Sequence, residues 1–241
     1  MTTPSIGTRG WFETPLGTAL LGIESQVVAA ACEQVFGFQC LQIGAWGPPD
    51  LFLPHVRTQR GVLIAADADC GGNVRSRATE LAVQADSIDA VLLPHTLECE
   101  ADPHEVLREA GRILVGEGHL VVLGFEPLGA WALRQRLSHG AFVPGVRRTL
   151  AERRLRDWLQ LLGFEVLEVR RFLFAPPFTR LQSPATEALL AASGRRLWPR
   201  LSGAYLLKAQ KRVFCVRRVR LRARPLPAVV PAAQPARRVG S

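Results

Sequence analysis

Ser87-Ile88-Asp89-Ala90-Val91-Leu92-Leu93-Pro94-His95-Thr96-Leu97-Glu98 is the stretch that decides the architecture. Ile88 to Leu93 is a short apolar run, as expected of a strand buried on both faces, and Pro94-His95 ends it. Asp102-Pro103-His104-Glu105 then opens a helix. Asp102 can cap free amides, Pro103 suits the first helical position, and Glu105 can complete a capping box. Val106, Leu107, Ala110, Ile113 and Leu114 form the buried stripe of that helix. Gly116-Glu117-Gly118 is expected to end it, and His119 to Gly124 reads as the next strand.

The alternation continues outward in both directions. Leu16 to Phe36 reads as a helix with Leu20, Ile23, Val27, Val28, Ala31 and Val35 on one face, broken at Gly37. Cys40 to Ile43 is a strand ending in the glycine-rich turn Gly44-Ala45-Trp46-Gly47-Pro48-Pro49, and Val62 to Ala66 is a second, ending at Asp67. Downstream, Thr149 and Glu152 suggest another capping box ahead of Leu155, Trp158, Leu159 and Leu162. Gly163 stops that helix before a strand from Phe164 to Val169, and a last strand spans Tyr205 to Ala209. Strand and helix in alternation predict an α/β sandwich with a largely parallel sheet. Such sheets bind ligands at the carboxyl ends of their strands.

Composition narrows the function. The chain has 241 residues, enough for one α/β domain and short for two. The net charge of +9 suggests nucleic acid until it is located. Ala188 to Ser241 holds thirteen Lys and Arg with no Asp or Glu, which leaves the preceding body at −4. We therefore expect a domain over 1–212 and a basic, Arg/Pro-rich tail without fixed structure over 213–241. The run Arg217 to Arg224 has no interleaved aromatic platform, so it reads as a solvated tail rather than a nucleic-acid site. Five scattered cysteines without a C-x-x-C pair suggest reduced, cytoplasmic thiols, and five dispersed histidines give no metal-ligand spacing. The absence of a long uninterrupted apolar run argues against a membrane span.

The chemistry-bearing residues gather at the predicted strand ends. A glycine-rich turn lets backbone approach a nucleotide-like ligand, although Trp46 and Pro48 are bulky for that role. Asp67 stands where an acid can accept from both ribose hydroxyls, with Asp69 as a competitor. His95 is a candidate general base or substrate contact, and it can equally cap or pack. Glu98 follows it within one turn.

The segments Ser87-Ile88-Asp89 through Leu97-Glu98, Asp102-Pro103, Leu107-Arg108-Glu109, Arg112-Ile113-Leu114 and Glu117-Gly118-His119-Leu120 carry a wider likeness. So do Gly124-Phe125-Glu126-Pro127 through Trp131 and Arg134, then Arg154-Leu155, Asp157-Trp158-Leu159, Leu162-Gly163-Phe164 and Tyr205 to Lys211. Together they resemble the bacterial class I S-adenosylmethionine-dependent methyltransferases from about Leu41 to Lys211. The resemblance implies a three-layer sandwich around a seven-stranded, mostly parallel sheet whose last strand is antiparallel. It implies S-adenosylmethionine as cofactor, with Gln42 and Gly44, Ala45, Trp46 and Gly47 at its methionine end. Asp67 would face the ribose, and Leu93 and Pro94 would lie beside the transferring methyl. His95 or Glu98 would remove a proton where the acceptor, expected to be a small molecule, needs it. No metal is implied.

The chain departs from that pattern where the family places an acid at Gln42 and glycine at Trp46 and Pro48. An acid that commonly contacts the adenine amine is also missing before Leu81. Leu93-Pro94-His95-Thr96 does not resemble the Asn/Asp-Pro-Pro-aromatic motif of base-amine methylation. The rival expectation is a scaffold that kept the fold and lost the cofactor, with RNA association through the tail as its variant.

Overall fold

Thr14 sets the first element. Its hydroxyl accepts from the Gly17 amide and Pro15 occupies the first turn, starting helix α1 (Pro15–Cys32). The computed structural model describes residues 10–66, 72–138, 142–177 and 202–212. The tail 213–241 and both Asp67 and Asp69 lie outside the described residues. Helix α1 ends four residues earlier than its apolar pattern suggests, because Phe36 already belongs to strand β1 (Phe36–Ile43).

The remaining strands are β2 (Arg57–Ala65), β3 (Val74–Arg75), β4 (Ile88–Pro94), β5 (Leu114–Phe125), β6 (Phe164–Phe172) and β7 (Ala204–Lys211). They form one sheet in the order β3-β2-β1-β4-β5-β7-β6, in which β7 alone runs antiparallel to its neighbours. The helices that follow are α2 (Thr96–Cys99), α3 (Pro103–Ile113), α4 (Ala130–Leu137) and α5 (Glu152–Leu161). Asp102 caps α3 as expected, accepting from His104 and Glu105. That helix passes into β5 at Leu114, so Gly116 to Gly118 lie within the strand rather than stopping the helix. The predicted box at Thr149 is not formed. Ala151 is the cap of α5, and Glu152 binds Arg156 and Arg171 instead.

Strand periodicity divides the core in two. Leu41, Ile43, Val91, Leu93, Leu120 and Val122 point to one face, where α3 and α5 cover them. Cys40, Ala90, Leu92, Val121 and Leu123 point to the other, under α1. The result is the expected three-layer α/β sandwich. Helix α1 is long and apolar enough to cross a membrane, which the sequence reading did not anticipate. Here it is a core layer: Leu20, Leu21, Glu24, Val28, Ala31 and Cys32 are among its buried residues.

One omission shapes the site. Residues 44–56, between β1 and β2, contain only a single turn of tighter helix, Leu53–His55. The glycine-rich turn therefore runs into loop, and no helix N-terminus faces the strand ends there.

Candidate functional site

The carboxyl ends of β1, β4 and β5 meet at a cluster that the sequence hid. His95 follows β4 in the left-handed region, φ 54° and ψ 10°, a conformation that costs a non-glycine residue about 1–2 kcal/mol. Its ring is fully buried, 4.2 Å from the Trp46 ring and 4.3 Å from the Phe125 ring, centroid to centroid, and those two rings also touch each other. Nε2 lies 2.9 Å from Oε1 of Glu24, and Nδ1 lies 2.7 Å from Oε2 of Glu98. The remaining carboxylate oxygens are also engaged. Glu24 Oε2 accepts from the Trp46 indole at 2.8 Å, and Glu98 Oε1 accepts from the Phe125 amide at 2.9 Å and more weakly from Leu150.

Electrostatics follow from that geometry. Burial lowers the His95 pKa, but attraction and hydrogen bonding from Glu24, then from Glu98, outweigh it and raise the value to about 9. Burial pushes Glu98 up, opposed chiefly by its bond to His95. Each ring nitrogen thus faces a glutamate oxygen, and both glutamates favour the protonated ring. In this arrangement His95, expected as a general base or a packing residue, has both ring nitrogens engaged by glutamates. Glu98, with both oxygens occupied, is likewise a structural acceptor in this arrangement.

An aromatic cap completes the enclosure. Trp11, Phe12, Trp46, Phe125, Trp131 and Phe142 touch in sequence and return to Trp11. Trp46, expected to line a cofactor, is a member of this wall. Trp158 packs beside His104 under Arg154, outside the cap.

Both turn glycines are required by packing. A Cβ on Gly44, whose φ is +92°, would sit 2.6 Å from the Thr96 hydroxyl. One on Gly47, φ +71°, would meet Leu21 at 2.9 Å. Thr96 itself donates to the Ile43 carbonyl, locking the end of β1 to the start of α2. Ala45 is partly buried in the same turn, and Leu93 and Pro94 are buried at the end of β4. Gln42 is different. Its Nε2 donates to the Gly44 carbonyl at 3.2 Å, while its fully buried Oε1 has no donor among the described residues. A buried acceptor left bare costs about 1–3 kcal/mol, and it suits a ligand N–H. Gln42 thus keeps one unused acceptor at the carboxyl end of β1, whereas Gly44 and Gly47 offer no vacant cradle.

Glu24 is the site residue the sequence reading missed. The signal was present, since Glu24 stands four residues after Leu20 and four before Val28, inside an apolar face.

Residues 58–122 match the family model of the methyltransferase domain. The uncharacterized Escherichia coli (strain K12) protein YafS is 39% identical over 120 residues, 43% of this chain and 48% of that protein. The chain thus matches about half the length of that relative. Among solved structures, a Thermotoga maritima S-adenosylmethionine-dependent methyltransferase, a possible histamine N-methyltransferase, superposes with a TM-score of 0.62 at 18% identity. That superposition covers 85% of this chain and 93% of the other. The [4+2]-cyclase SpnF gives a TM-score of 0.53 at 18% identity, covering 79% and 80%. At such identities the structural likeness establishes the fold alone. Fold and family match together imply S-adenosylmethionine as the cofactor.

Proposed function

We propose that this chain, a member of the class I S-adenosylmethionine-dependent methyltransferase family, is a methyltransferase acting on an acceptor with an oxygen, carbon or non-nucleobase nitrogen nucleophile. The observation that carries the reading is the bare, buried Gln42 Oε1 at the carboxyl end of β1, in a sheet of this strand order. When bound, the cofactor supplies an electrophilic methyl group on its sulfonium. Gln42 would accept a hydrogen bond from the cofactor's ammonium, and Asp67, beyond β2, would hold its ribose hydroxyls. His95 and Glu98 act as positioning residues. They tie α1, the end of β4 and the end of β5 into one unit and exclude water from the strand ends.

The test is a calorimetric titration with S-adenosylmethionine and S-adenosylhomocysteine. Micromolar binding is expected, and Gln42→Leu should weaken it about tenfold, the loss of roughly one buried hydrogen bond. No heat and no rise in melting temperature at millimolar ligand would overturn the reading.

A second reading, a binding protein that keeps the fold without methyl transfer, is favoured by the filled space around His95 and by the missing helix after β1. SpnF, a cyclase of the same fold, illustrates that this architecture hosts more than one activity.

A further inference from the structure

Beside the buried cluster, between α4 and residues 146–149, lies an open cleft of about 310 Å³. Its polar wall is Arg136, Arg147, Arg148 and Thr149, and its floor includes Ala132 and Val146. Behind that floor Ala132, Val146 and Thr149 pack toward Phe125 and Trp131, leaving no space for a water molecule between them. The cleft therefore has a cationic rim over a closed apolar floor, and that floor backs onto Phe125 and Trp131 of the aromatic cap.

The walls are held in place. Gln135 of α4 donates to the carbonyls of Val143 and Val146 and accepts from the Val143 amide, pinning the loop that carries the arginines. The amides of Arg147 and Arg148 donate to the Glu98 carbonyl at 3.0 and 3.4 Å, fixing the same loop to the cluster. The charges are not internally neutralised. Arg148 spends part of its guanidinium on the carbonyls of Glu100 and Ala101. Arg136 and Arg147 have no carboxylate partner among the described residues, unlike Arg108, Arg112, Arg156, Arg170, Arg171 and Arg212. Glu98, the nearest buried acid, is committed to His95. Three arginines and a threonine line one cleft, and a phosphoryl group takes several such donors at once.

We propose that this cleft is a phosphate subsite, and that the methyl acceptor is a phosphorylated small molecule whose apolar portion lies along Ala132 and Val146. This rests on the methyltransferase reading for the word acceptor, but the phosphate site itself does not. The phosphoryl group belongs either to a soluble phosphoester or to a lipid headgroup, and the experiment separates the two.

The protein as it exists, without cofactor, is titrated with phenyl phosphate and with phenol, following melting temperature and heat. Phenyl phosphate should bind and phenol should not. Arg136→Ala/Arg147→Ala should weaken phenyl phosphate by about tenfold or more, as the loss of charge-assisted bonds implies. The charge-matched control Arg60→Ala/Arg77→Ala, at exposed positions on β2 and before β4, should change it less than about twofold. Co-sedimentation with phosphatidylglycerol vesicles, lost in Arg136→Ala/Arg147→Ala and competed by phenyl phosphate, assigns the phosphoryl group to a lipid. Phenyl phosphate binding without vesicle binding assigns it to a soluble ester. No phenyl phosphate binding, or equal losses in the two double variants, overturns the proposal. Phenyl phosphate binding in a protein that ignores S-adenosylhomocysteine would leave the anion site standing and remove only the methyl-transfer reading.

Discussion

Replacing Glu24 by leucine isolates what the buried cluster contributes. Leucine fits the apolar face of α1 but offers nothing to His95 Nε2 or to the Trp46 indole, both buried and both bonded to Glu24. Removing one partner of a buried ion pair costs about 3–5 kcal/mol, and an orphaned buried N–H about 1–3 kcal/mol. The two penalties share one site and overlap, so we expect a total of about 4–5 kcal/mol. For a domain of this size about 2–4 °C is lost per kcal/mol, which places the melting temperature some 10–15 °C lower by circular dichroism at neutral pH. Glu24→Gln, which keeps one acceptor, should cost about half as much. A cycle with His95→Asn, chosen because asparagine tolerates the left-handed backbone, should return a coupling of about 2 kcal/mol or more. A loss under about 3 °C for Glu24→Leu, or a coupling near zero, would refute the reasoning that Glu24, His95 and Glu98 act as one ionic unit.

Three further outcomes are expected. Because the folded-state pKa of His95 is raised from 6.5 to about 9, its contribution is fully present below pH 6.5 and is lost as pH rises through about 9. Denaturant titrations should therefore show stability falling by about 3 kcal/mol across that window, and Glu24→Gln should flatten the slope. Gly44→Ala should destabilise by about 2–4 kcal/mol in the same assay, since it adds a Cβ 2.6 Å from the Thr96 hydroxyl at a φ of +92°. Asp67→Ala should weaken S-adenosylhomocysteine by about 1.5–3 kcal/mol in calorimetry and Asp69→Ala much less; a reversed order moves the ribose contact to Asp69.

Local sequence patterns carried the α/β layering and six of the seven strands; the edge strand β3 (Val74–Arg75) has no such pattern, and the seven-stranded sheet with its antiparallel strand came from the family resemblance. Ile88 to Leu93 and the Asp102-capped helix after it carry strong local signals, a continuous apolar run and a side-chain cap, which tertiary context did not override. Signals of the same kind failed where a stronger competitor was available. Thr149 lost its capping role as Glu152 paired with Arg156 and Arg171, and Gly116 to Gly118 were drawn into β5. Positions of Gln42, Leu93, Pro94 and His95 at strand ends were also legible, because a strand must deliver its last residue to the sheet edge. Their chemistry was not. Whether His95 is a base or an imidazolium depends on Glu24, 71 residues away in sequence, and on the two rings that enclose it. Whether Gly44 and Gly47 cradle a ligand or avoid a clash depends on Thr96, Leu21 and Leu51. Local periodicity fixes which way a side chain faces, but protonation state and free volume are set by what arrives from elsewhere in the chain, and only the tertiary structure decides that.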